Sequence, residues 1–123
     1  MAKGQQVHQA HQDAVQLLGK TIGKRAGFRC EWCSGSEGLR VWEYRPEQEP
    51  EPANLALLCD SCRSLVAAKK PDPRQLRSIR NALWSDIPAV AEGAALVLAR
   101  CPEAWAREAI EESFLDEAFK AKL

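Results

Sequence analysis

Cys30-Glu31-Trp32-Cys33 and Cys59-Asp60-Ser61-Cys62, separated by 25 intervening residues, are the two stretches on which the fold turns. Two residues between paired thiols let both sulfurs reach one ion from a single tight turn, whose amides can donate to sulfur. Two such turns brought together give a tetrahedral cage of four thiolates, a geometry that zinc accepts without penalty. Cys30, Cys33, Cys59 and Cys62 are therefore the expected metal ligands and Zn2+ the expected cofactor. Four ligands close the coordination shell and leave no position for a catalytic water, which points to a structural ion. Iron in a rubredoxin-like cage is chemically possible, but the turns lack the Gly and Pro flanks common in such electron carriers. Two disulfides and unliganded buried thiols are the remaining alternatives. The fifth cysteine, Cys101, stands alone between Arg100 and Pro102 and reads as a packing residue at a helix end.

The segments around the two pairs read as a small mixed lobe. Upstream, Ala14, Val15, Leu17, Leu18 and Ile22 share one broad apolar face of a helix expected from Val7 to Ala26, with Lys20, Lys24 and Arg25 near its end. Gly27 is its stop signal. Between the pairs, Leu39-Arg40-Val41-Trp42-Glu43-Tyr44 alternates as a strand does, with Leu39 and Val41 on one side and Arg40 and Trp42 on the other. Pro46, Pro50 and Pro52, interleaved with Glu47, Glu49 and Glu51, break regular structure and mark an exposed acidic loop. Order resumes at Asn54-Leu55-Ala56-Leu57-Leu58, and a short helix follows from Asp60 or Ser61 to near Lys69 and Lys70. Helix, strand pair and helix around two Cys-x-x-Cys pairs is the element order of a treble-clef zinc finger.

The rest of the chain reads as three helices. Pro73 opens the first, with Leu76, Ile79, Ala82 and Leu83 at helical spacing up to Trp84. Ser85 or Asp86 caps the second, which carries Ile87, Val90, Ala94, Leu96, Val97 and Leu98. Pro102 opens the third, with Trp105, Ala109, Ile110, Phe114, Leu115 and Phe119 on its buried stripe. The expected fold class is α+β: a treble-clef-like zinc lobe of helix, β-hairpin and short helix, followed by a three-helix lobe. The expected division is an N-terminal helix at 1–24, a zinc lobe at 25–70 and a helical lobe at 71–123.

The 123 residues carry no net formal charge, but the charge is unevenly placed. Arg63, Lys69, Lys70, Arg74, Arg77 and Arg80 face a single acid, Asp72, between residues 61 and 80, whereas residues 31–60 and 101–123 are acidic. A neutral total does not exclude a local anion-binding face. Arg74, Arg77 and Arg80, at i, i+3 and i+6, would project side by side along a helix, a stripe suited to sequence-independent phosphate contacts. These six residues are the candidate nucleic-acid contacts. The alternatives are a solvated face, a protein partner, or pairing of the same residues with the acidic C-terminal helix. The apolar run Ala89–Leu98 suits either a buried core helix or self-association. No apolar run reaches the length of about 18 residues that a membrane span needs, and no signal-peptide core is visible, so no membrane partner and a cytoplasmic location are expected.

Arg25-Ala26-Gly27-Phe28-Arg29-Cys30-Glu31-Trp32-Cys33 and Asn54-Leu55-Ala56-Leu57-Leu58-Cys59-Asp60-Ser61-Cys62 resemble the two knuckles of the treble-clef core of HNH endonucleases, over about a third of the chain. That resemblance implies a base histidine on the first strand and a metal-binding histidine after the second knuckle. Here Glu43 and Arg63 stand at those places, only Asn54 matches the middle position, and His8 and His11 lie far upstream. No catalytic residue is assigned. A longer resemblance, over most of residues 25–119, is to the bacterial PhnA family, the "alkylphosphonate utilization" proteins. It rests on Cys-Glu-x-Cys at 30–33, Leu57-Leu58-Cys59-Asp60-Ser61-Cys62, Arg80-Asn81-Ala82-Leu83-Trp84-Ser85-Asp86-Ile87-Pro88-Ala89-Val90 and Phe114-Leu115-Asp116-Glu117. It implies the four cysteines as metal ligands and a helix–turn–helix joint at Trp84–Pro88 that docks the helical lobe. The expected function is a non-catalytic PhnA-like zinc protein that binds nucleic acid or protein. The alternative is a divergent HNH-type nuclease or a phosphonate-related hydrolase. Paired carboxylates, a nucleophile with its base and a phosphate-cradling Gly loop are not visible in the sequence.

Overall fold

A computed structural model describes the backbone of residues 2–123 and the side chains from residue 9 onward. The fold is α+β. Helix α1 (Ala2–Ala26) leads to a two-stranded antiparallel hairpin of β1 (Arg40–Glu43) and β2 (Leu55–Leu58), and α2 (Asp60–Ala67) follows the second cysteine pair at once. Four further helices complete the chain: α3 (Pro73–Arg77), α4 (Pro88–Leu98), α5 (Ala104–Glu112) and α6 (Glu117–Lys120). Short 3-10 turns occupy Pro52–Asn54 and Arg80–Trp84.

The hairpin register sets Arg40 opposite Leu58 and Glu43 opposite Leu55. Successive side chains of a strand point to opposite faces, and here both faces are covered. Leu55 and Leu57 join Ile22 of α1 in a small cluster with Leu18, Leu39 and Val41 packed against it. Ala56 and Leu58 turn the other way, into the main core with Leu76, Ile79, Leu83, Val90, Leu98 and Ile110. All four residues of β2 are buried, which is why its sequence is unbroken apolar rather than alternating. The main core includes Cys30, Cys59 and Cys62 as well as residues of α3, α4 and α5, so the cysteine turns and the helices share one interior.

Helix α1 begins at Ala2, earlier than the apolar pattern predicts, and ends in a left-handed pair, Gly27 (φ 63°) and Phe28 (φ 56°). The Phe28 amide returns to the Gly23 carbonyl at 2.9 Å and the Gly27 amide to Lys24 at 3.1 Å, closing the last turn. The acidic loop is pinned by Asn54, a buried polar residue. Its Oδ1 accepts from the Arg45 amide at 3.2 Å and its Nδ2 donates to the Arg45 carbonyl at 2.9 Å, so its burial leaves no amide group unmet.

Two of the predicted C-terminal helices are broken. Regular helix after Pro73 stops at Arg77, and Arg80–Trp84 continues as a 3-10 turn because Leu76, Ile79, Ala82 and Leu83 are all drawn into the core. Asp72 caps α3 by accepting from the Arg74 amide at 2.9 Å. The last predicted helix is interrupted at 113–116: Ser113 ends α5, and Asp116 caps α6 through the Ala118 amide. Lys120 closes that break, donating to the carbonyls of Glu111 and Ser113. Helix α4 starts at Pro88, one residue after Ile87, whose amide is held by Ser85 Oγ. It is the central helix, with Ala89, Val90, Ala91, Gly93, Ala94, Ala95, Val97 and Leu98 buried. The apolar run at 89–98 is thus mostly core, with Leu96 exposed.

Candidate metal centre

The first cysteine turn is a compact knuckle. The Ser34 amide donates to the Cys30 carbonyl at 2.8 Å, the Cys30 amide to the Gly35 carbonyl at 2.7 Å, and the Gly35 amide to Cys33 Sγ at 3.4 Å. Ser34 adopts a left-handed conformation (φ 68°) to close the turn. The second pair straddles a strand-to-helix junction. Cys59 precedes α2 and Cys62 lies in its first turn, so the helix axis sets the spacing of those two sulfurs.

The hairpin brings the two turns face to face. The four sulfurs lie within 4.8 Å of one another, with Cys33 and Cys59 at 3.5 Å. A zinc–sulfur bond of about 2.3 Å in a tetrahedron puts sulfurs about 3.8 Å apart, so the cage matches a zinc-sized ion. All five cysteines are free thiols in this structure. Cys30, Cys59 and Cys62 are buried, whereas Cys33 is half-exposed at the edge of a cleft of about 560 Å³ that Arg74, Gln75 and Ser78 of α3 also line. Cys101 packs at the margin of the main core, away from the cluster.

Crowding four thiols perturbs their acidity. A hydrogen bond from Cys62 holds the Cys30 thiol down to about 4, against the effect of burial. Cys62, which supplies that proton, is pushed up by the same bond and by burial, and Cys33 is pushed up by burial. A divalent ion does the protons' work with all four thiolates at once, so binding would release protons.

Glu31, inside the first knuckle, ties the cage to the sheet. Its amide donates to the Leu57 carbonyl at 2.8 Å, and its Oε1 accepts from the Leu57 amide at 2.9 Å. Arg25 of α1 forks onto the same carboxylate, Nε to Oε2 at 3.0 Å and Nη2 to Oε1 at 2.7 Å, and reaches the carbonyls of Pro52 and Leu55. Trp32 Nε1 donates to the Val90 carbonyl of α4 at 3.0 Å, docking the knuckle on the helical lobe. On the far side, Arg100 after α4 donates to the carbonyls of Val66 and Ala68 at the end of α2, complementing the negative end of that helix.

Three of the six basic candidates make side-chain contacts within the fold. Arg63 is turned inward, donating to the Gly38 carbonyl at 2.6 Å and to the Asp60 carboxylate. Arg77 lies 4.8 Å over the Trp105 ring and 3.8 Å from Glu103, and Arg80 lies 4.9 Å over Trp84 and 3.8 Å from Glu112. Both thus lie near acids of the C-terminal region, with side chains open to solvent. Lys69, Lys70, Arg74 and Arg77 are exposed.

His11 of α1 contacts Glu43, through Nε2 and Oε1, at the end of β1. The sequence leaves that histidine far from the strand; the face that carries Val15, Leu18 and Ile22 brings it there. The side chain of His8 lies outside the described residues. No helix among them is long and apolar enough to cross a membrane. Compared with family models, curated proteins and solved structures, the chain matches none, and its site stands on its own geometry.

Proposed function

We propose that Cys30, Cys33, Cys59 and Cys62 hold one zinc ion in a closed structural site of treble-clef form, and that the protein is a non-catalytic, PhnA-like binding module for nucleic acid or a protein partner. Convergence of the four sulfurs within 4.8 Å carries the metal assignment. All four donors are thiolates, so the ion has no free position for water and activates no substrate. Its role is to join the first knuckle to the start of α2, a stabilisation of about 10 kcal/mol or more at neutral pH for such sites. Elemental mass spectrometry of freshly purified protein is expected to find one zinc per chain. Iron, or no metal, would refute the assignment.

A second reading, a divergent HNH-type nuclease, draws support from one observation. The imidazole missing from β1 reaches Glu43 from α1, as His11. Incubating the zinc-loaded protein with plasmid DNA and added magnesium or manganese separates the two readings. The binding-module reading expects intact DNA, and cleavage that Glu43→Gln abolishes would replace it.

A further inference from the structure

Between the first knuckle and the 3-10 turn at Arg80–Trp84 runs an open groove of about 430 Å³, inside the range of about 300–1,000 Å³ usual for ligand sites. Its walls come from stretches some fifty residues apart in sequence: Arg25, Glu31 and Arg29 on one side, Asn81, Trp84 and Ser85 on the other. Arg25 and Glu31 neutralise each other through the fork described above. Arg29 is different. It is exposed, it makes one long bond of 3.4 Å to the Ser34 carbonyl, and Glu31, the acid on the groove wall, is already held by Arg25. Trp84, half-buried, lines the same groove, with the Arg80 guanidinium lying over its ring at 4.9 Å. Asn81 is exposed beside it, with an amide that can both donate and accept.

We propose that this groove binds single-stranded nucleic acid: an unpaired base stacks against Trp84, Asn81 meets the edge of that base, and Arg29 takes the adjoining phosphate. This rests on the binding-module reading and narrows it to one class of partner and one surface, distinct from the exposed Lys69, Lys70 and Arg74. A cation and an aromatic face along one cleft is the combination that single strands use, because every base offers a π-face and every linkage a charge. A duplex hides its base faces and would not reach Trp84.

The test is fluorescence anisotropy with the zinc-loaded full chain, a labelled oligo-dT of about 12 nucleotides and a duplex of equal length, over a range of salt. The single strand is expected to bind more tightly than the duplex. Arg29→Ala should weaken binding and lower the slope of log K against log salt by about 0.7, the share of one phosphate on a single strand. Asn81→Ala should weaken binding at unchanged slope, and Trp84→Leu should weaken it about tenfold. Zinc content and melting temperature are followed for each variant. Because Trp84 also packs against the core, the two exposed positions decide the outcome if Trp84→Leu does not fold. Binding that is lost in Lys69→Ala/Lys70→Ala/Arg74→Ala but kept in Arg29→Ala and Asn81→Ala would overturn the groove while leaving a nucleic-acid module. Equal or tighter binding of the duplex would overturn the stacking role. No binding of either form would overturn a nucleic-acid partner and leave the protein partner.

Discussion

Glu31 ties the first cysteine turn to β2 and to α1. Its side chain is 8% exposed and serves the Leu57 amide and the Arg25 guanidinium together. Glu31→Ala would leave a buried amide unmet and a partly buried cation without its counter-charge, and such losses commonly cost about 3–5 kcal/mol. Arg25 keeps two carbonyl acceptors, so a destabilisation of about 2–3 kcal/mol is expected. Urea denaturation of Glu31→Ala, Arg25→Ala and the double variant checks it. A large coupling energy is expected, since both substitutions break the same fork. Glu31 was visible in the sequence only as a letter inside a knuckle. Its partners lie at positions 25 and 57, and no local periodicity joins them.

At the scale of elements, α4 shows how much an arrangement can depend on an absent side chain. A Cβ on Gly93 would stand 2.9 Å from Trp42 Cζ3 and 3.0 Å from Trp32 Cζ2. Those two indoles meet edge to face with centroids 5.3 Å apart, one from the knuckle and one from β1. Alanine favours a helix over glycine by about 1 kcal/mol, but inserting a methyl into a filled core costs about 1–3 kcal/mol. Gly93→Ala is therefore expected to lower stability by about 1–2 kcal/mol, where a solvent-facing glycine would have gained. Thermal and urea melts give the sign directly. Hairpin, cysteine turns and α4 were legible beforehand because each is written locally, in alternation, in spacing and in an apolar run. The ends of α3 and α5 were not. Ile79 is fully buried and Ser113 nearly so, and it is packing against other elements that bends the chain there. The placement of His11 beside Glu43, 32 residues apart, and of Arg29 and Trp84 along one groove were hidden for the same reason.

The molecule as a whole has one principal interior, and that decides how metal loss should look. Cys30, Cys59 and Cys62 sit in the same cluster as Val90, Leu98 and Ile110. Stripping the ion with a strong chelator should therefore not merely loosen the two cysteine turns. Helical circular dichroism and tryptophan emission are expected to change together in a single transition, with recovery on adding zinc. Two separated transitions would mean that the helices hold together without the metal. The basic surface belongs to this scale too. The chain's formal charges cancel, and Arg63, Arg77 and Arg80 contact acids or rings of the same chain.

The bond from Trp32 to the Val90 carbonyl spans 58 residues, and it bears on how the protein can be made. On the ribosome, the knuckles, hairpin and α2 all emerge before α4 does, so for that interval the nascent chain carries two bare indoles and the apolar face of β2. Shortening the gene to its cysteine-rich half would make that interval permanent. The product would be a sticky fragment that clumps in the cell rather than a free-standing finger.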